Sequence, residues 1–169
     1  MLKVFITDDH ELYLDGLVLL LNKQAGIEVI GSAFTGESLL SQLPNNNIDI
    51  LLLDVHLPDI GEEELLLKIR EIQPSLKILY LTIMRGTRYI HKLLKYDIQG
   101  YLLKNTNIAE LTQALNAVAE GNKYFSKEIN ILDTNQDFRN TVTIEDKKVD
   151  EILSKREIEV LTLICKEYS

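Results

Sequence analysis

The sequence predicts an α/β protein: a doubly wound, five-stranded parallel sheet flanked by five helices, with a C-terminal helical extension. Three observations point there. Runs such as Leu2-Lys3-Val4-Phe5-Ile6 and Ile48-Asp49-Ile50-Leu51-Leu52-Leu53 are too apolar for strands with one wet face and suit strands buried on both sides. Helix-like segments alternate strictly with the strand-like runs, which argues for crossover connections and helices on both faces. Acidic residues close two of the runs, Asp8-Asp9 the first and Asp54 the later one. In an open parallel sheet, functional groups gather at the carboxyl ends of the strands.

The elements follow in order. Leu2–Thr7 reads as a strand and Glu11–Lys23 as a Leu-rich helix. Glu28–Ala33 is a strand, and Glu37–Leu43 a short helix stopped by Pro44-Asn45-Asn46-Asn47. Ile48–Leu53 is a strand, and Glu62–Ile72 a helix that ends before Pro74. Lys77–Thr82 is a strand, Thr87–Tyr96 a helix and Gly100–Leu103 a short strand. Ile108–Glu120 is a helix with Ile108, Leu111, Leu115 and Val118 on one face; Asn107 and Glu110 fit a capping box and Gly121 follows its end. Topology places the first and third strands side by side, in the order 2-1-3-4-5.

Residues 1–125 therefore form one domain. Residues 126–152 are polar and weakly periodic and read as a linker, with a short helix near Ile129–Leu132. A new unit opens at residue 153. Ser154 with Glu157 forms a capping box, and Ile158, Val160, Leu161 and Ile164 follow at helical spacing. One helix cannot bury its own face, so the unit over 153–169 is expected to be incomplete.

Charge narrows the function. The chain of 169 residues carries net −8: residues 1–125 hold 11 basic and 16 acidic side chains, and residues 126–169 hold 7 and 10. Neither part has the basic footprint of a nucleic-acid surface. No apolar stretch approaches the ~20 residues of a membrane helix, and Met1-Leu2-Lys3-Val4 leads directly into a strand rather than a signal peptide. The lone Cys165 excludes an internal disulfide and reads as a small core residue. A cytoplasmic protein without a membrane partner is expected.

The strand ends then define a candidate site. Taken alone, an acidic pair such as Asp8-Asp9 in a turn is ordinarily solvated, and Asp54, Thr82 and Lys104 are each unremarkable at a strand end. Together they bring three carboxylates, a hydroxyl and an ammonium to one edge. Three close carboxylates repel one another unless a cation sits among them, and an all-oxygen set suits Mg²⁺. Thr82 offers a donor to a phosphoryl oxygen, and Lys104 a point charge for Asp54 or its phosphorylated form. Tyr101 either packs or changes rotamer beside the site. His10, His56 and His91 match no zinc spacing, and no Gly-rich phosphate loop follows the first strand.

The chain resembles response-regulator receiver domains, the CheY-like phospho-acceptors of two-component signalling, and most closely their NarL/LuxR-type subfamily. The resemblance rests on Thr7-Asp8-Asp9-His10 with Gly16-Leu17, on Leu53-Asp54-Val55-His56-Leu57-Pro58, on Leu81-Thr82, and on Gly100-Tyr101-Leu102-Leu103-Lys104. Gly121-Asn122-Lys123-Tyr124-Phe125-Ser126 is similar to the segment after that subfamily's last receiver helix, and residues 153–161 resemble the opening of a LuxR-type helix-turn-helix domain. Leu57 stands where many relatives have Met. Gly61 falls one residue earlier than their usual glycine, so that loop is expected to differ in backbone. Asn105 replaces the proline of many receivers.

The resemblance implies a flavodoxin-like sheet and a specific set of roles. Asp54 is the phosphorylated residue. Asp9, Asp54 and the backbone carbonyl of His56 ligate Mg²⁺, with Asp8 acting through water. Thr82 and Lys104 bind the phosphoryl group, and Thr82 with Tyr101 forms the switch. The donor is a histidine kinase or phosphotransfer protein, and a phosphorylation-dependent homodimer is implied. DNA is a partner only for a form with the complete C-terminal domain. Such a protein catalyses only its own phosphorylation and dephosphorylation. Two rivals remain, the second of them on the same fold. A small Mg²⁺-dependent phosphatase needs a general acid or base near Asp54, for which His56 is the only candidate. A phosphorylation-independent interaction module has no use for the complete set of Asp8, Asp9, Asp54, Thr82 and Lys104.

Overall fold

A computed structural model of the chain describes residues 1–83 and 93–126. Both stretches belong to the compact unit Met1–Ile131; the linker expected over 126–152, apart from Ser126, and the C-terminal unit expected over 153–169 lie outside the described residues. The elements are β1 (Leu2–Thr7), α1 (Glu11–Leu21), β2 (Ile27–Ala33), α2 (Gly36–Gln42), a 3₁₀ turn (Leu43–Asn45), β3 (Ile50–Leu53), α3 (Glu62–Ile72), β4 (Lys77–Thr82), β5 (Gly100–Leu103), α4 (Ile108–Ala119) and β6 (Tyr124–Phe125). The helix predicted over 87–96 lies largely outside the described residues; residues 93–94 are helical.

The sheet order is β2-β1-β3-β4-β5-β6. The predicted order of the first five strands is observed, and every pairing is parallel. The expected count of five is corrected to six. Tyr124 N–H donates to the Gln99 carbonyl at 3.0 Å, and Ser126 N–H to the Tyr101 carbonyl at 3.0 Å. A two-residue strand carries no alternation of its own, so only this pairing reveals it. The close approach requires Gly100: a Cβ there would stand 2.3 Å from the Tyr124 carbonyl oxygen and 2.5 Å from Leu79 Cδ1.

The core lies on both sheet faces. Ile50 and Leu52 point to the layer formed by α1 and α4, against Leu14, Leu17, Leu111 and Leu115. Leu51 and Leu53 point to the other layer, with Leu39, Leu66 and Ile69. All four residues of β3 are buried, each contributing roughly 2 kcal/mol of hydrophobic stabilisation. Leu52→Ala removes a side chain packed on all sides and is the kind of change that costs about 2–5 kcal/mol.

Helix ends follow the local chemistry. The Asn107 side chain accepts from Glu110 N–H at 2.9 Å, one half of the predicted capping box. The other half is replaced, because the Glu110 carboxylate takes the Thr106 hydroxyl instead. Gly61 serves as an extended N-cap of α3 (φ −71°, ψ 147°), so the early glycine is used without any unusual backbone angle. β3 begins two residues later than predicted; just before it, Asp49 N–H donates to the Lys3 carbonyl at 2.9 Å while the Asp49 carboxylate, in place of a backbone carbonyl, accepts from Lys3 N–H at 2.8 Å. At the edge opposite the strand carboxyl ends, the Arg70 guanidinium donates to the carbonyls of Leu76 at 2.6 Å and Asp97 at 2.9 Å. It thereby ties the end of α3 to the approaches of β4 and β5.

Candidate functional site

The sheet continues its ladder past its own strand ends. Asp8 N–H donates to the Ala33 carbonyl at 3.1 Å, Asp54 N–H to Thr7 at 2.9 Å, and Lys104 N–H to Thr82 at 2.8 Å. The register that pairs Thr7 with Leu53 and Thr82 with Leu103 therefore delivers Asp8, Asp54 and Lys104 to one edge with their backbones fixed. Thr82, the last residue of β4, is buried.

Lys104 organises this edge. Its Nζ lies 2.6 Å from Asp8 Oδ2 and 2.7 Å from Asp54 Oδ2, and the three side chains are only 8%, 3% and 5% exposed. The other Asp54 oxygen, Oδ1, accepts from Val55 N–H at 2.7 Å. The carboxylate is thus held at both oxygens and cannot rotate away from the edge. Lys104 also stands 5.0 Å from the Tyr13 ring centroid, within cation–π range. Burial, then the negative charges of Asp8 and Asp54, push the Tyr13 hydroxyl up to about 12.

Two further residues belong to the site and carry little signal in the sequence. His10 donates its backbone N–H to Asp8 Oδ1 at 2.9 Å, and its Nδ1 lies 3.0 Å from Asp8 Oδ1 and 2.8 Å from Asp9 Oδ1. The imidazole therefore orients both acids; its position directly after them was the only available clue. Tyr13, in the first turn of α1, had none. His56 has its Nδ1 3.6 Å from Glu62 Oε1, so its imidazole faces the start of α3. Tyr101 is fully buried, with its ring centroid 6.2 Å from that of Tyr80. Burial raises its hydroxyl to about 12, against a hydrogen bond shared with the Thr82 side chain, which lowers it; the Asp54 charge adds to the rise. The structure thus brings together the candidates Asp8, Asp9, Asp54 and Lys104, and separately joins Thr82 to Tyr101.

The acidic edge fits a divalent cation. Asp8, Asp9, His10 and Asp54 each offer a ligand atom, all within 4.8 Å of one another. The carboxylate oxygens are hard donors, and Asp9 is 37% exposed, which leaves room for the waters that Mg²⁺ retains.

A parallel sheet whose carboxyl edge gathers buried acids around one lysine is the architecture of a receiver domain, and known proteins agree. The sequence model described as the response regulator receiver domain matches residues 4–116. The chain belongs to that family, and it is a two-component response regulator of the LuxR type. Among its relatives is the oxygen regulatory protein NreC of Staphylococcus epidermidis, 34% identical over 172 residues, covering 99% of this chain and 78% of NreC. The response regulator GacA of Pseudomonas syringae pv. syringae is 30% identical over 164 residues, covering 97% of this chain and 75% of GacA. Among solved structures, the isolated receiver domain of RcsB from Salmonella enterica serovar Typhimurium, determined with phosphomimetic BeF₃⁻, matches with a TM-score of 0.71 and 28% identity. It covers 78% of this chain and 97% of that domain. Receiver domains bind Mg²⁺ in an acidic pocket of this kind. Among the described residues no helix is long and apolar enough to cross a membrane.

Proposed function

We propose that Asp54 accepts a phosphoryl group from a phosphohistidine on a kinase or phosphotransfer protein, and that the acyl phosphate switches the protein's output. The observation that carries this is the buried Lys104 placed between Asp8 and Asp54 at 2.6 and 2.7 Å. An Asp54 oxygen attacks phosphorus as the phosphorus–nitrogen bond of the donor breaks, and the imidazole nitrogen leaves with the bonding electrons. Such transfer needs alignment and charge neutralisation above all. Val55 N–H and Lys104 fix the carboxylate beforehand. Asp9, Asp54 and the His56 carbonyl would hold Mg²⁺, with Asp8 acting through water. The ion supplies positive charge for the incoming oxygens. Lys104 moves its contact from Asp54 to a phosphoryl oxygen, and Thr82 donates its hydroxyl to another.

The same Thr82 shares its hydrogen bond with Tyr101. Drawing Thr82 toward the phosphoryl group changes what holds Tyr101, and so the surface over β5 and the helix predicted over 87–96. A phosphoryl group shifts that equilibrium only by binding one state better. An apolar cleft beside Lys104, with Leu12 at its rim 90% exposed, supports a protein rather than a small molecule as donor. Residues 1–125 form the phospho-acceptor domain, 126–152 the linker, and 153–169 the start of a DNA-binding unit. Phosphorylation favours a homodimer in the cytoplasm, and specific DNA contact belongs to a form with the complete C-terminal domain.

Intact-mass measurement after incubation with acetyl phosphate and Mg²⁺ tests this. The expected result is a gain of one phosphoryl group, absent without Mg²⁺ and absent in Asp54→Asn. Full labelling of Asp54→Asn overturns the assignment. The phosphatase reading is disfavoured because the His56 imidazole faces Glu62 rather than serving Asp54.

A further inference from the structure

Asp59 stands in the middle of the crossing from β3 to α3, five residues beyond Asp54 and exposed to solvent. A solvated carboxylate there has no need of partners, yet both of its oxygens are committed. Oδ1 accepts from Gly36 N–H at 2.9 Å and Oδ2 from Glu37 N–H at 2.8 Å. These are the first amides of α2, which a helix leaves unpaired. The helix's own cap, Thr35, accepts only from Ser38 N–H, at 3.2 Å. The first turn of α2 is thus completed by a residue 22 and 23 positions away in sequence.

A second observation points to the same junction. A Cβ on Gly36 would stand 2.2 Å from Ile60 Cγ2. The backbone of α2 therefore touches the residue following Asp59, with no room for even a methyl group. Between Asp54 and these two anchors, the crossing carries Val55, His56, Leu57 and Pro58.

We propose that Asp59 is a positioning residue for the metal site: by fastening the crossing to the first turn of α2, it fixes where the His56 carbonyl is presented. The inference rests on the reading above that this carbonyl ligates Mg²⁺. Mg²⁺ demands near-ideal octahedral geometry at short distances, and a metal site tolerates only about 0.2 Å of error. A carbonyl on a crossing released from α2 fails that requirement on the time average. Loss of a group that orients a metal ligand typically costs 10–100-fold in affinity. Asp59 acts through two intervening residues, Leu57 and Pro58, so we expect about a tenfold loss.

The test titrates the whole chain with MgCl₂, followed by amide NMR shifts around Asp54. Amide hydrogen exchange of Gly36 and Glu37 is measured without metal. Asp59→Ala should raise the Mg²⁺ Kd about tenfold and unprotect both amides. Asp59→Asn keeps one carbonyl acceptor and should recover part of the affinity. Gly36→Ala alters no charge, so a raised Kd in that variant separates positioning from mere loss of a nearby negative charge. Wild-type Kd in folded Asp59→Asn and Gly36→Ala, with the two amides exchanging faster, would overturn the inference while leaving the metal site intact. A wild-type chain whose shifts do not respond to MgCl₂ would overturn the metal reading itself, and this inference with it.

Discussion

Replacing Lys104 by methionine keeps an unbranched side chain one atom shorter and removes its charge. In the native site that charge faces two carboxylates at 2.6 and 2.7 Å, with all three side chains nearly inaccessible. At an effective dielectric constant of about 20, each contact is a gross attraction of about 6 kcal/mol. Most of that is offset by the desolvation of three ions. What the variant reports is the cost of leaving Asp8 and Asp54 close together, buried and unpaired. Breaking a buried ion pair from one side costs about 3–5 kcal/mol. For a domain whose total stability is of order 5–15 kcal/mol, Lys104→Met should remain folded but weakened by about 3 kcal/mol. Urea denaturation followed by circular dichroism, without divalent cations, measures this. Mg²⁺ no longer competes with Lys104 for the acids in the variant, so the ion should restore more stability to it than it adds to the wild type. A variant within about 1 kcal/mol of wild type, with no larger response to Mg²⁺, would show that Lys104 does not neutralise this site.

Other outcomes follow from the same geometry. Thr82→Ala should still accept a phosphoryl group on Asp54, but the amide shifts of β5 and α4 that accompany labelling in the wild type should largely vanish. Gly100→Ala should cost about 1–3 kcal/mol, because its Cβ meets the Tyr124 carbonyl, and hydrogen exchange should show Tyr124 and Ser126 N–H losing protection. Arg70→Met should lower stability by about 2 kcal/mol through its lost carbonyl partners while leaving labelling of Asp54 unchanged. Burial holds the Tyr13 and Tyr101 hydroxyls at about 12 against their ordinary 10.0. Their protonated forms are favoured by folding, so this contribution is intact below the ordinary value and is lost as pH rises through the folded one. Near-ultraviolet absorbance titration should find these tyrosines ionising late, with stability declining across that window.

Much of this architecture was legible in the sequence because parallel strands advertise themselves. Ile50-Leu51-Leu52-Leu53 is buried at every position, and a run that apolar has few other uses. The polar residue that ends each run then marks the sheet's carboxyl edge, which is why Asp8, Asp54 and Lys104 were identified together. What was missed depends on tertiary partners. β6 exists only through its hydrogen bonds to Gln99 and Tyr101. Tyr13 reaches the site only because the fold sets the start of α1 beside Lys104, and Asp59 is linked to α2 by a contact that no local pattern records. His10 was visible but ambiguous, since a histidine beside two aspartates is equally at home in solvent. At the start of β3, Asp49 pairs with Lys3 through both its backbone N–H and its carboxylate, a mixed pairing that the strand pattern alone does not show.

Asp54, and no neighbouring acid, is expected to carry the phosphoryl group. An acyl phosphate is reduced by borohydride to the corresponding alcohol, so phosphorylated aspartate becomes homoserine at the modified position. Peptide mapping of the chain after acetyl phosphate, Mg²⁺ and borohydride should place homoserine at position 54 alone. Homoserine at position 8 or 9, or its absence from a chain that had gained phosphoryl mass, would place the phosphoryl group elsewhere than on Asp54.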